Sequence, residues 1–183
     1  MEPNFSGTQG NQASPDFKRA RGIATLARKD ISFVQKTTPT YNQGLETQLA
    51  GIIPGRASKA NIFFLNVYSP PKERFQNFNS LFLVATKQAK IKPLMIAEDF
   101  NAYNKSWIYS KNDAKGTKLS GCADTLGLKL VTDPQIPTHK GYSVQRDTTP
   151  DLAFLLNAEG SWDNLQKDLG SNHVIPEINV HIA

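Results

Sequence analysis

Hydrophobic positions along this chain fall into short runs and stripes whose periods predict strands and helices in alternation. Ile23, Leu26 and Ala27, followed across the charged turn Arg28-Lys29-Asp30 by Ile31, Phe33 and Val34, predict two short strands. A third is predicted over Leu45 to Ile53, where Leu45, Thr47, Leu49 and Gly51 alternate with Glu46, Gln48 and Ala50 until Pro54-Gly55 turns the chain. Asn61 to Tyr68 carries the strongest strand signal. Phe63, Leu65 and Val67 share one face, and Ile62, Phe64, Asn66 and Tyr68 share the other. A strand apolar on both faces belongs in the middle of a sheet, and its last residues on one face turn polar. Pro70-Pro71 end it, because neither can donate to a ladder.

The period then changes. Phe75, Phe78, Phe82, Ala85 and Ala89 lie three, four or seven apart and predict a helix from about Pro71 to Lys90. Lys87, Lys90 and Lys92 at or beyond its end oppose the negative pole of the helix dipole, and Pro93 stops it. Leu94-Met95-Ile96-Ala97 predicts a short strand buried on both faces, with Asp99 and Asn101 at its exit. The polar segment Tyr103 to Lys115, which holds Trp107 and Tyr109, reads as a long loop. Leu119, Cys122, Ala123 and Leu126 predict a second helix capped by Gly127. Leu128, Leu130 and Val131 predict a short strand before Asp133-Pro134. Leu152 to Leu156, introduced by Thr148-Thr149-Pro150-Asp151, predicts another buried strand, and Val174 to Ile182, interrupted by Pro176, a closing one. Strands in two sets with helices between them predict a layered α/β sandwich. No Gly-rich loop joins a strand to a helix as a Rossmann fold requires.

Composition narrows the class. With 183 residues, 39% hydrophobic and 20% charged, the chain suits one globular domain. Pro3, Gly7, Gly10 and Pro15 among small polar residues make residues 1–21 a flexible lead-in to a domain over 22–183. No apolar run approaches the roughly 20 residues a membrane span needs, and the polar start lacks a signal peptide's apolar segment. A single cysteine, Cys122, excludes an internal disulfide and a cysteine-based zinc site. It lies on the helix stripe and reads as packing in a reducing, intracellular compartment. Lys and Arg exceed Asp and Glu by five (21 minus 16). Lys18, Arg19, Arg21, Arg28 and Lys29 crowd one stretch, which points to a polyanionic partner.

Four polar places stand at strand ends or in the loops beside them: Asn66/Tyr68, Asp99/Asn101, Asp151 and Asn172/His173. Singly, each has an ordinary structural explanation: a Tyr that covers the core, an Asp that closes a turn or starts a strand, a satisfied loop His. In succession they form a pattern. Asn66-Val67-Tyr68-Ser69-Pro70-Pro71, then Pro93 to Ala102 with Asp99-Phe100-Asn101, Trp107, Pro137-Thr138-His139, Thr149-Pro150-Asp151-Leu152 and Gly170-Ser171-Asn172-His173 resemble the endonuclease/exonuclease/phosphatase superfamily. They are most similar to the apurinic-like endonuclease domain of non-LTR retrotransposons. The resemblance covers nearly everything from Gly22 onward.

What the resemblance implies is a four-layer α/β sandwich, two packed β-sheets flanked by helices, and Mg²⁺-assisted hydrolysis of DNA phosphodiester bonds. Asp99 would be the base and Asn101 would hold it or the phosphate. His173, oriented by Asp151, would stabilise the transition state, and Tyr68 would bind the phosphate. DNA, met through its phosphate backbone, would be the partner. No membrane and no obligate protein partner are implied, and a working protein would be nuclear. Three departures accompany the match. The family's opening strand with its Asn, the following helix and the strand ending in Gln-Glu have no counterpart before Gly22, which implies an N-terminally truncated domain lacking the first strand and helix. Asn172 stands where the family has an Asp near the metal, so it would be a weak ligand. Glu98 stands where the family has Gly. Together they imply impaired activity, or an inactive retroelement remnant with weak nucleic-acid binding at most.

Overall fold

A computed structural model of the chain describes residues 5–7, 23–38, 44–53, 61–72, 77–143, 146–168 and 170–181. Its centre is a mixed six-stranded sheet. In chain order the strands are β1 (Phe5–Gly7), β2 (Leu26–Arg28), β3 (Ser32–Lys36), β4 (Glu46–Ile53), β5 (Ile62–Tyr68), β6 (Leu94–Asp99), β7 (Lys129–Leu130), β8 (Asp151–Leu156), β9 (Glu159–Asn164) and β10 (Pro176–His181). The large sheet has the order β3-β4-β5-β6-β8-β7. Only β5 and β6 run parallel, and the helix α1 (Phe78–Ala89) between them makes the crossover that a parallel pair requires. As predicted, β5 is central.

One face of this sheet makes the core. Leu49, Leu65, Leu94, Ile96, Leu152 and Phe154 are sealed beneath Phe78, Leu81, Phe82 and Ala85 of α1 and Leu119, Cys122 and Ala123 of the second helix, α2 (Ala114–Leu126). The Phe stripe of α1 is therefore core. Each buried Leu, Ile or Phe contributes roughly 1.5–3 kcal/mol. Across the other face lies the two-stranded sheet β9-β10, and between the sheets Phe64, Met95, Ala97, Ala153, Trp162 and Ile178 line a cavity of about 630 Å³. Helices, large sheet and small sheet stack as in the expected α/β sandwich, with three of its four layers among the described residues. Among the described residues both helices lie in one layer, and the second sheet has two strands.

Several boundaries differ from the sequence reading. Helix α1 starts at Phe78, because the Asn77 side chain accepts from Ser80 N–H and fixes the N-terminus there. Phe75 and Pro54-Gly55 lie outside the described residues. Segment 103–115 is not one loop: it holds a 3₁₀ turn, Lys105–Trp107, capped by Asn104, and the first residues of α2 behind its Asp113 cap. Strand β9 has an alternating pattern that short polar residues conceal. Pro176 begins β10 instead of interrupting it, as a residue without an N–H does best at a strand end. Within the expected lead-in, Phe5–Gly7 pair with Leu26–Arg28 by backbone bonds that composition does not reveal, and 8–22 lie outside the described residues.

Candidate active site

The site is built around a hydrophobic anchor. Phe100 is fully buried and meets Phe78, Phe82 and Phe154 at ring-centroid distances of 5.9, 6.3 and 6.0 Å, each edge-on. Its insertion into the core forces the residues on either side outward, so Asp99 and Asn101 reach the same opening. Their backbone is held from both sides: Phe100 N–H donates to Pro150 O at 3.1 Å, and Ser69 N–H to Asp99 O at 2.9 Å. Asn101 adopts φ +45°, a left-handed conformation that Asn tolerates well. There its Nδ2 donates to Asp99 Oδ1 at 2.5 Å and to Ser69 O at 3.3 Å. Lys115, buried in α2, donates from Nζ to Ser69 Oγ at 3.1 Å and to Pro70 O at 3.0 Å, which ties the exit of β5 to α2.

Strand register supplies the next carboxylate. In the antiparallel pair β6/β8, Asp99 stands opposite Asp151. Asp151 in turn accepts from His173 Nδ1 at 2.9 Å through Oδ2. His173 is carried by a loop fixed to Ser171, whose Oγ accepts His173 N–H and donates to His173 O, both at 3.0 Å. Nδ1–H is committed to Asp151, so Nε2 is left to meet a substrate. One ligand atom from each of Asp99, Asp151 and His173 lies within 4.8 Å of the others, the one such cluster among the described residues.

The electrostatics follow from this crowding. Burial first, and then the Asp151 charge opposite, push the Asp99 carboxyl up to about 6 against the opposing pull of His173 and Asn101. His173 is raised above the ordinary imidazole value, first by its hydrogen bond to Asp151 and then by the carboxylates around it, against desolvation. Glu98 is raised as well, by lost hydration and by Asp151 and Asp99. Its backbone has φ +111°, a region L residues rarely occupy and glycine enters freely.

Of the residues named from sequence, Tyr68, Asp99, Asn101 and His173 line one cavity of about 560 Å³, and Asp151 stands behind His173. Asn172 is the exception. It is half-buried, its carbonyl accepts from Lys140 N–H at 2.9 Å, and its side chain lines neither this cavity nor the larger one. Sequence reasoning gave no role to His139, Tyr103, Tyr109 or Arg146, which complete the cavity wall. His139 stands edge-on to His173 at 4.8 Å. Its signal was present, in Pro137-Thr138-His139, but the pairing of His139 with Thr148 and His173 is a matter of tertiary register.

The model of the family described as "Endonuclease-reverse transcriptase" matches residues 62–176, well over half of the chain. The chain belongs to this endonuclease-reverse transcriptase family. Among solved structures it is similar to the endonuclease domain of TRAS1, a telomere-specific non-LTR retrotransposon, with a TM-score of 0.75 and 20% identity over 97% of this chain and 80% of that one. An endonuclease/exonuclease/phosphatase family protein from Bacteroides thetaiotaomicron matches with a TM-score of 0.55 and 12% identity, over 86% and 67% of the two chains. No curated protein matches the sequence. At these identities the structural likeness establishes the fold, and within it the motif residues of this family member stand at the exits of β5, β6 and the β10 loop and at the start of β8.

Proposed function

We propose that the chain is the endonuclease domain of a non-LTR retrotransposon and hydrolyses DNA phosphodiester bonds with Mg²⁺ at a reduced rate. The observation that supports this reading is the assembly of Asp99, Asp151 and His173 in one opening, with Asp151 oriented toward His173 Nδ1. Asp99, held by Asn101, takes the proton of the attacking water. His173 and Tyr68 give hydrogen bonds to the phosphoryl oxygens as charge gathers on them. Asp151 keeps the imidazole oriented and protonated.

Mg²⁺ suits this donor set. It prefers oxygen ligands, commonly needs one or two carboxylates, and fills the rest of its octahedron with waters. Asp99 and Asp151 supply such oxygens, and when bound the ion would neutralise the phosphate and stabilise the leaving oxygen. The reduced rate rests on Glu98, which adds a side chain and a carboxylate next to Asp99. The same residue favours the second reading, an inactive remnant that binds nucleic acid weakly. Magnesium-dependent nicking of supercoiled plasmid, abolished in Asp99→Ala, separates the readings. Calorimetric titration with Mg²⁺ tests the account of the metal site: Asp99→Ala is expected to bind at least roughly tenfold more weakly. Unchanged affinity would contradict it.

A further inference from the structure

Tyr103 and Tyr109 form a stacked pair, ring centroids 4.4 Å apart and planes within 13°. The pairs among Phe78, Phe82, Phe100 and Phe154 and the pair His139–His173 are tilted or edge-on. Both tyrosines line the cavity that holds Asp99, Asn101, Tyr68 and His173, with Arg146 and His139 also on its wall. Tyr103 is 38% exposed. The outer face of Tyr103 is therefore open to a ligand in that cavity.

The pair is also fixed in advance. Tyr109 N–H donates to Asn104 O at 3.2 Å, next to Tyr103 in the chain. Tyr103 N–H donates to Asp113 Oδ1 at 3.2 Å, and Asp113 N–H donates to Tyr103 O at 2.9 Å. Gly116 in the first turn of α2 lies so close that a Cβ there would sit 1.9 Å from Tyr103 O. Little ordering entropy therefore remains to be lost on binding.

Resting on the phosphodiesterase reading, we propose that Tyr103 and Tyr109 are a stacking platform for an unpaired nucleobase of the nucleotide next to the attacked phosphate. Any base offers a π face, so the platform engages a base without reading its identity, and the Arg146 guanidinium matches the charge of the adjoining phosphate. Such a platform places the scissile phosphate over Asp99 through the base beside it. It makes ease of unstacking a determinant of where the strand is cut.

The test is equilibrium binding, in chelator, of a single-stranded DNA oligonucleotide with one 2-aminopurine, read by fluorescence quenching. An identical oligonucleotide with an abasic position serves for comparison by competition. The unaltered protein should quench the 2-aminopurine and bind the abasic strand roughly tenfold more weakly. Tyr103→Ala should lose quenching and about tenfold in affinity, while Tyr103→Phe retains both. Equal affinity for the two strands, no binding by the unaltered protein, or full quenching by Tyr103→Ala would each overturn the platform. The strand comparison uses the unaltered protein and so stands even if Tyr103→Ala fails to fold. Quenching without plasmid nicking would count against the hydrolytic reading alone, and nicking without quenching against the platform alone.

Discussion

Asp99 pays for its position. Its folded-state value of about 6 exceeds the ordinary aspartate value, so the folded protein binds this proton more tightly than the unfolded chain does. That contribution to stability is complete below about pH 4 and is lost as pH rises through 6. Asp99→Asn, measured by urea unfolding in chelator, should therefore gain about 1–3 kcal/mol over the unaltered protein at pH 7.5 and nothing near pH 4. A pH-independent difference would contradict the assignment. His173 moves for a different reason, its bond to Asp151. In Asp151→Asn the imidazole pKa, followed by NMR, should fall toward the ordinary imidazole value. An unmoved titration would show that the 2.9 Å contact does not govern it. The gathering of Asp99, Asn101, Asp151 and His173 was legible in sequence because they sit in short motifs. The left-handed Asn101 and the strained Glu98 were not, since backbone dihedrals depend on how Phe100 is seated.

At the scale of elements, the sequence disclosed what its period carries. Strands β4, β5, β6 and β8 and both helices follow from apolar spacing. The 3₁₀ turn, the Asp113 cap and β9 do not, because side-chain-to-backbone bonds and short polar strands leave no hydrophobic signature. The join of α2 to the loop after Asn101 shows how closely such hidden features are fitted. Gly116 lies against the Tyr103 backbone, where a Cβ would be 1.9 Å from the carbonyl oxygen and 2.4 Å from the carbonyl carbon. Alanine improves helix propensity by about 1 kcal/mol, and the clash outweighs it. Gly116→Ala should lower stability by about 2 kcal/mol or more in urea unfolding. A neutral or stabilising effect would mean that this contact is looser than described.

For the molecule as a whole, the sheet order places the exits of β5 and β6 and the start of β8 at one rim, and the loop before β10 brings His173 to it. A rigid core behind Phe100 and loops in front are how a layered fold positions groups drawn from residues 68 to 173. The surplus of five positive charges suits a polyanionic substrate. The direct test is nicking of supercoiled plasmid by the purified chain in Mg²⁺, set beside Asp99→Ala and a chelator control. The account predicts slow nicking that the chelator stops and that falls at least about a hundredfold in Asp99→Ala. No nicking by the folded protein, or equal nicking by Asp99→Ala, would contradict it.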